Sequence, residues 1–395
     1  MTSARPVRLA PLYAAGFTTA FGAHSVAAGL GVETADVGGS LVGFGIALAV
    51  YDLAEVVLKP VFGALSDRVG VKPVIVAGLF GFAFVSLVGT VWTTATAVLV
   101  IRFGQGACAS AFSPASSAAV SRLAGTGSAA GYFGKYGSWK TLGYAFGPLI
   151  GAGLITVGGL RFLFVSLTLV ALGASVWTLL AMPDVPVLPR RSSTLGQAVR
   201  QLVERPFVAA TLALAATAGS LTVGVGFLPL MATRDHQPTW AAMALVTVIA
   251  VASAVTQRVV GRLADQQRTI VRTGIVAGLV VTGLGLATPA LGHPAALFAA
   301  ALLLGVGIGT VTPLGFAHLS ATSLPERIGR TMGNAEVGRE FGDSAGPLAV
   351  GALAAALGPP AALATGGVVL FAFAFLDLYL LRWPAISSPR GGLHS

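Results

Sequence analysis

Charged side chains occur inside two long apolar segments of this sequence, and in each segment they fall on one helix face. The first set is Asp52, Glu55 and Lys59, at steps of three and four residues. The second set repeats that spacing and consists of Glu336, Arg339, Glu340 and Asp343. Charges in apolar surroundings are costly, so they must face protein or water and find partners. We therefore expect the two faces to meet.

Two interpretations of these charges remain open. In one, they form structural salt bridges that hold two parts of the protein together. In the other, a carboxylate, Asp52 or Glu55 first, binds a proton during a working cycle, because one carboxylate is enough to balance Arg339. Under the second interpretation, the residues expected to take part in proton coupling are Asp52, Glu55, Arg339, Glu340 and Asp343.

The elements that position these charges are predicted to be membrane-spanning helices. Of 395 residues, 55% are hydrophobic and 10% are charged, whereas about 25% are charged in soluble domains. Continuous apolar runs of about 20 residues favour helices over a barrel. We predict twelve spans, at roughly 10–30, 40–62, 73–93, 95–118, 133–157, 161–182, 207–231, 239–260, 271–289, 295–318, 331–357 and 360–382. The single cysteine, Cys108, leaves no disulfide framework, and we expect no metal site and no cofactor.

Positive residues indicate the orientation of the chain. With twelve spans, the Arg and Lys residues outside the spans fall on one side, and only Arg161 and Arg234 fall on the other. This bias predicts that both termini are cytoplasmic in a cell (inner or plasma) membrane. The net charge of +10 is then explained by the orientation of the chain in the membrane. We expect no nucleic-acid partner, because the basic residues are spread over many short loops.

An internal repeat divides the sequence. The hinge segment, residues 63–73, is predicted to be a charged loop, and part of it recurs 198 residues later at 261–265. Span five recurs as span eleven at an offset of 199, with Lys140 on Arg339. The predicted domains are residues 1–182, a cytoplasmic linker at 183–206, and residues 207–395.

The sequence resembles the major facilitator superfamily. The hinge segment carries Gly63, Leu65, Asp67, Arg68, Gly70 and Lys72 as that family does, although Val71 replaces a more usual basic residue. Span four contains an Arg-x-x-x-Gly element, Arg102-Phe-Gly-Gln-Gly106. Residues 143–151 of span five are similar to the Gly-Pro signature of the family's exporters, with Gly147 and Pro148. The resemblance implies an all-α membrane protein with two six-helix bundles, related by a pseudo-two-fold axis, and alternating access to a central cavity.

The hinge segment is predicted to act as a latch. Asp67 can cap the N-terminus of a helix in the other half, for which span eleven is the expected neighbour. Gly63 and Gly70 allow a close approach and a tight turn, and the set of gating residues also includes Arg68, Lys72, Lys59 and Glu336. Span two runs towards the cytoplasm and span eleven runs away from it, so residues at the same depth in the membrane can pair. We therefore expect Lys59 near Glu336 at the cytoplasmic end, and Asp52 or Glu55 near Arg339 closer to the middle.

Five further residues are assigned a substrate-binding or structural role: Arg102, Gln105, Lys140, Gly147 and Pro148. Arg102 suits a structural or gating role, with proton relay as the second option. Lys140 can pair with an acidic residue or bind an anionic group of a substrate.

These features predict a secondary active transporter, a proton-coupled antiporter that exports small organic compounds or drugs. The alternative is a proton-coupled symporter that imports a small anionic metabolite. The sequence has no P-loop and no catalytic triad, so we expect no enzyme activity. A receptor or scaffold is disfavoured, since no large soluble segment is predicted. The expected partners are a small-molecule substrate, protons and the lipid bilayer, and the protein is expected to be a monomer.

Overall fold

The computed structural model describes residues 9–37, 41–92, 94–124, 128–188, 202–267 and 270–380. The described part is built from α-helices, joined by short turns and two 3₁₀ segments at Thr288–Leu291 and Pro325–Arg327. Both chain termini and residues 189–201 of the predicted linker lie outside the described residues. The predicted domain boundaries and linker therefore stay a prediction.

The first half of the chain forms six helices. Helix α1 is Ala10–Val37, α2 is Leu41–Val69, α3 is Val71–Gly89 and α4 is Ala95–Ala124. A continuous run, Ala129–Ala181, follows them and departs from helical geometry at Gly158 and Gly159. Gly159 has φ +69°, a left-handed conformation that glycine adopts without steric cost. This break separates α5 (residues 129–157) from α6 (residues 160–181).

The second half repeats this pattern. Its helices are α7 (Arg205–Arg234), α8 (Thr239–Gln266), α9 (Ile270–Ala287), α10 (Pro294–Thr322), α11 (Ile328–Leu357) and α12 (Pro359–Leu380). The described residues thus form twelve helices, and each predicted span falls on one of them. Within the described ranges, seven runs are long and apolar enough to cross a membrane by length and composition alone, and one of these is the broken run of α5 and α6. Helices α2 and α11 carry the two charge sets inside their spans.

The prediction that the hinge segment is a loop is wrong. Helix α2 continues through Val69 and α3 begins at Val71, so only Gly70 lies between the two helices. Gly70 has φ +98°, which lets the chain reverse within one residue. The second copy, 261–265, likewise lies inside α8. In both copies the aspartate of the helical turn binds the first turn of a neighbouring helix, as described below.

Glycines bring pairs of helices together in the same way in both halves. In the first half, α1 packs on α5, and a Cβ at Gly143 would lie 2.9 Å from Ala20. In the second half, α7 packs on α11, where Gly219 and Gly346 meet backbone to backbone. Gly143 and Ala20 correspond to Gly342 and Gly219 at the offset of 199. Such small-residue contacts allow close helix packing in lipid, and they make the sequence repeat a structural repeat.

The two sets of helices contact each other mainly through α2 with α11 and α5 with α8. A Cβ at Gly333 would lie 2.6 Å from the carbonyl oxygen of Lys59, and one at Gly261 would lie 2.5 Å from that of Ala130. These positions lie towards the end of the bundle where α2 ends and α11 begins, which we call the hinge side. The structure is therefore closed on the hinge side.

Candidate functional site

Asp67 binds the first turn of α11, as the sequence predicts. Its Oδ1 accepts a hydrogen bond from the Gly329 N–H at 2.8 Å, and its Oδ2 accepts one from the Arg330 N–H at 2.9 Å. Arg122 at the end of α4 pairs with the same carboxylate at 2.7 Å, which the sequence did not predict. A carboxylate at a helix N-terminus satisfies unpaired N–H groups and interacts favourably with the helix dipole. Asp67 therefore joins three helices from both halves of the chain.

The second copy of the hinge sequence makes the mirrored contact. Asp265 at the end of α8 accepts a hydrogen bond from the Gly131 N–H, in the first turn of α5, at 3.0 Å. Between the two contacts, the hydroxyls of Ser121 and Ser320 are 2.5 Å apart, and these residues are also related by the offset of 199. The hinge side is thus closed by two related contacts around a central pair of serines.

The other predicted latch residues differ in what they contact. A Cβ at Gly63 would collide with the carbonyl oxygen of Gly329, so this glycine is needed for the close approach of α2 and α11. Arg68 is exposed. Lys72 pairs with Asp184 at 2.9 Å, and the Asp184 side chain is 92% exposed. An exposed pair of this kind contributes little to stability, about 0–1 kcal/mol.

A fully buried lysine connects the charged faces of α2 and α11. The Nζ of Lys59 lies 2.6 Å from Oε1 of Glu340, 3.0 Å from Oε2 of Glu55 and 3.8 Å from Oε2 of Glu336. The predicted proximity of Lys59 and Glu336 is confirmed, although Glu340 is the closer partner. The single positive charge of Lys59 therefore interacts with three carboxylates.

Lys140 of α5 pairs with an acidic residue, which was one of its two predicted roles. Its Nζ lies 3.0 Å from Oε2 of Glu336 and donates a hydrogen bond to Ser113 at 3.2 Å. Ser117 also donates to Glu336, at 3.3 Å. The carboxylate of Glu336 is completely buried, and these donors satisfy it in place of water.

The predicted pairing of Arg339 with Asp52 or Glu55 is wrong. The guanidinium of Arg339 instead contacts the Tyr144 hydroxyl at 2.6 Å and Asp343 on its own helix at 3.7 Å. Tyr144 belongs to α5, and its ring centroid lies 5.4 Å from the guanidinium. Tyr144 thus occupies the position beside Arg339, while Glu55 lies one turn from Lys59 and pairs with it.

A cavity of about 240 Å³ lies on the other side of this charge cluster from the hinge side. Its lining comes from both halves of the chain and consists of Thr19, Ala20, Ala23, His24, Tyr51, Asp52, Glu55, Arg102, Tyr144, Thr222, Glu340, Asp343 and Ser344. Glu55 and Glu340 are the two closest partners of Lys59, so the Lys59 cluster forms the hinge-side floor of the cavity. Asp343 accepts a hydrogen bond from Thr222 at 2.7 Å. In the described part of the chain, Asp52 forms no ion pair.

Arg102 and Gln105 form part of the cavity wall and of its support. The Arg102 guanidinium lies 4.1 Å from the Tyr51 ring centroid and donates a hydrogen bond to Gln105 at 3.3 Å. Gln105 in turn donates to Ser86 of α3 at 3.0 Å. This arrangement holds Arg102 in place without a carboxylate partner among the described residues.

Gly147 and Pro148 lie inside α5, next to the cavity helices. A Cβ at Gly147 would lie 3.2 Å from the Cβ of His24 in α1. Pro148 removes one backbone hydrogen bond within α5. Both residues act on the packing of α5 against α1 and are absent from the cavity lining given above.

The charges around the cavity and its floor do not cancel. Among the described side chains there are five carboxylates and four cations, which leaves one excess negative charge when every group is ionised: Asp52, Glu55, Glu336, Glu340 and Asp343 against Lys59, Arg102, Lys140 and Arg339. Isolated charges are unfavourable at this depth. The site can therefore bind one additional positive charge.

Several residues of the site were not predicted from the sequence. Tyr51 donates a hydrogen bond to Glu55 at 3.5 Å. Because Tyr51 precedes Glu55 by one helical turn, this contact could have been predicted from the sequence. His24 lies 4.3 Å from Tyr144, ring centroid to ring centroid. The roles of Tyr144 and Arg122 depend on contacts between distant helices, for which the sequence carried no local signal.

The model of the Major Facilitator Superfamily matches residues 12–291 and 242–392 of this chain. A chloramphenicol resistance protein of Pseudomonas aeruginosa is 28% identical over 280 residues, which cover 66% of this chain and 65% of that protein. The multidrug resistance protein MdtM of Salmonella typhimurium is 25% identical over 51% of this chain and 46% of its own length. The matches thus span less than two thirds of both relatives.

Among solved structures, the human organic anion transporter MFSD10 (TETRAN) has a similar fold. The TM-score is 0.76 at 18% identity, and the match covers 96% of this chain and all of that one. At this identity the similarity concerns the fold alone. Since the family model matches nearly the whole chain and the twelve described helices form this fold, the chain belongs to the major facilitator superfamily of multi-pass membrane transporters.

Proposed function

We propose that this protein is a proton-coupled antiporter that exports small organic compounds by alternating access. Membership of a transporter family supports transport of a small molecule across a membrane. Export is supported by two relatives whose names refer to chloramphenicol resistance and multidrug resistance. The protein works as a monomer, without enzyme activity or a cofactor.

The observation that carries proton coupling is the excess negative charge around the cavity. Asp52 is the proposed proton site, because it lines the cavity and forms no ion pair within the described residues. The other titratable and charged groups that line the same cavity are His24, Tyr51, Glu55, Arg102, Tyr144, Glu340 and Asp343. Of these, Glu55 and Glu340 share Lys59, and Asp343 lies near Arg339. A proton on Asp52 neutralises the charge that the four cations leave unbalanced.

The same helices connect the proton site with closure on the hinge side. Helix α2 carries Asp52, Glu55, Lys59 and, two turns further, Asp67. Lys59 attracts Glu340 across the two halves, and Asp67 binds the N-terminus of α11. A change of charge at the cavity alters the attraction between α2 and α11 through Lys59. Proton binding and release can thereby favour different states of the hinge side.

The proposed orientation places the hinge side in the cytoplasm of a bacterial cell, in the inner membrane. The distribution of Arg and Lys in the sequence supports it, and the relatives from Pseudomonas and Salmonella support a bacterial membrane. In this orientation, the structure is closed towards the cytoplasm, and both termini are cytoplasmic.

The test is a substrate screen in inverted vesicles with a readout of the pH gradient. Compounds that are exported must release protons from vesicles in which the lumen has been acidified. We expect Asp52→Asn to abolish this release while the protein remains inserted, and Glu55→Gln to weaken it. The matched control is Asp184→Asn, which removes an exposed carboxylate far from the cavity and should have no effect. Exchange by Asp52→Asn and Glu55→Gln that keeps its full dependence on the pH gradient would refute the proposed coupling.

The same screen also tests the alternative, a symporter that imports a small anionic metabolite. In that case one organic acid must move together with protons. The arrangement of Lys140 and Arg339 does not favour it, because both cations already contact carboxylates.

A further inference from the structure

We infer that Gln257 of α8 is a positioning residue that holds α8 against α5 in every protonation state, so that protons act on closure of the hinge side through α2 and α11 alone. This inference rests on the proposed function and specifies which of the two main contacts between the halves responds to protons. It follows from a comparison of these two contacts, which the internal repeat relates to each other.

The charged residues around Lys59 have uncharged counterparts in α5 and α8. At the offset of 198, Lys59 corresponds to Gln257, and the proposed proton site Asp52 corresponds to Ala250. The three carboxylates that contact Lys59 also correspond to residues without charge: Glu55 to Ser253 at the same offset, and Glu336 and Glu340 to Gly137 and Thr141 at the offset of 199. The α5–α8 contact thus repeats the positions of the Lys59 cluster and none of its charges.

Gln257 makes the hydrogen bonds that correspond to the ion pairs of Lys59. Its Nε2 donates to Oγ1 of Thr141 at 2.8 Å, across the two halves, and to Oγ of Ser253 at 3.1 Å, one turn earlier on α8. Lys59 likewise binds one partner across the halves and another one turn earlier on its own helix. We call Gln257, Thr141 and Ser253 the Gln257 network.

The backbones at the two contacts pack in the same way. Gly134 lies against the carbonyl oxygen of Gln257, as its counterpart in α11 lies against that of Lys59. The Ser138 hydroxyl adds a hydrogen bond across the halves, to the carbonyl oxygen of Ala254 at 2.8 Å. The two contacts therefore share their geometry and differ in whether their side chains carry charge.

The amide and hydroxyl groups of the Gln257 network keep the same charge over the physiological pH range. The titratable or charged side chains within about one turn of the network on α5 and α8 are Tyr136, Lys140, Tyr144 and Arg258. Lys140 binds Glu336, Arg258 is exposed, and tyrosines stay neutral below about pH 10. Helix α10, which also packs on α8, approaches Ser253 through glycines. The α5–α8 contact is therefore equally strong before and after a proton binds, whereas the α2–α11 contact depends on charge.

Replacement of Gln257 by Glu tests the inference, because it places a titratable group of the same shape in the network. When protonated, the new carboxyl group can still donate a hydrogen bond to Thr141. When ionised, it is a buried carboxylate, which opposes closure because the open state exposes it to water. We expect the ratio of closed to open protein to match that of the parent at about pH 5 and to fall about 10-fold or more below it by about pH 9. The control is Gln266→Glu, at an exposed position near the end of the same helix, which should follow the parent at every pH.

Double electron–electron resonance measures this ratio. Spin labels are attached at Val69→Cys and Arg262→Cys, two exposed positions near the hinge-side ends of α2 and α8. Cys108 is replaced by Ala so that no other thiol reacts, and the full-length protein is reconstituted in lipid nanodiscs. The distance between the labels increases when the hinge side opens, so the closed and open populations are counted directly at each pH.

Two further variants remove the hydrogen bond across the halves, each from one side. Gln257→Leu lacks the donor and Thr141→Val lacks the acceptor. Each should lower the ratio of closed to open protein about 5-fold at every pH, and the double variant should fall little further because both changes remove the same bond. Thr141→Val is the smaller change and keeps the test available if Gln257→Leu does not fold.

Three results overturn the inference. They are a Gln257→Glu variant that follows the parent at every pH, a loss of closure in Gln257→Leu or Thr141→Val that is confined to part of the pH range, and no loss of closure in either variant. A closed population that does not change with pH in the parent protein refutes the proposed coupling, and the inference with it. A pH-dependent parent beside a Gln257→Glu variant with the same profile refutes the inference alone.

Discussion

Replacement of Asp67 by Asn should weaken closure on the hinge side. The Asp67 carboxylate accepts two backbone hydrogen bonds at the start of α11 and pairs with Arg122, whose side chain is 7% exposed. A carboxylate at a partly buried helix N-terminus contributes up to about 2 kcal/mol. A buried charged donor that loses its partner costs about 1–3 kcal/mol. Because Asn keeps one acceptor, we expect the closed state to lose roughly 2–4 kcal/mol relative to the open state, about 30-fold to 1,000-fold in the equilibrium.

Disulfide crosslinking across the hinge side measures this change. The reporter is the pair Ser121→Cys and Ser320→Cys, since these hydroxyls are 2.5 Å apart in the closed structure. The native Cys108 is replaced by Ala so that no other thiol reacts. The crosslinking rate follows the population of the closed state, and Asp67→Asn should reduce it strongly.

A second Asp→Asn substitution serves as the control. Asp184 also forms an ion pair, with Lys72, but the Asp184 side chain is exposed and both residues belong to the first half of the chain. Asp184→Asn should leave the crosslinking rate unchanged. If Asp67→Asn crosslinks as fast as the parent protein, or if both variants lose crosslinking equally, the role of Asp67 as a latch is refuted.

Two other predictions concern the mirrored contact and the buried pair of α5. Asp265→Asn should slow the same crosslinking reaction, because Asp265 binds the first turn of α5. Its effect on the free energy of closure should add to that of Asp67→Asn within about 0.5 kcal/mol. Faster crosslinking in Asp265→Asn would contradict the symmetric arrangement. Lys140→Met should lower the free energy of unfolding by about 3 kcal/mol, the lower end for breaking a buried ion pair, because Lys59 still lies 3.8 Å from Glu336. In thermal unfolding, adding Glu336→Gln should recover part of this loss, and no recovery would show that the stabilisation does not come from the pair.

Much of the fold could be predicted from the sequence. Spans are determined by local composition, since about 20 apolar residues cross a bilayer, and each predicted span falls on a helix. The hinge segment was predicted as a loop because its charges resemble those of exposed turns. Its Asp67 is instead buried against the N-terminus of α11, and that contact depends on a helix about 260 residues away.

The charge pairs were only partly predictable, because helical periodicity gives the face of a residue but not its depth against another helix. In the structure, glycine contacts set that depth. Gly333 lies against the carbonyl oxygen of Lys59, which brings the Lys59 side chain between Glu336 and Glu340. Tyr144 then occupies the place beside Arg339 where Asp52 or Glu55 was expected.

The sequence by itself determined a membrane protein with a repeated half, two charged helix faces and a family resemblance, because composition, periodicity and offset are properties of the chain alone. The tertiary structure decided which charges pair, that Arg102 retains an unpaired donor, and that Asp52 lines a cavity without an ion pair in the described part. The physical reason is that a buried charge is stabilised by the groups that surround it. Those groups come from α2, α4, α5 and α11, and only the packing of these helices brings them together.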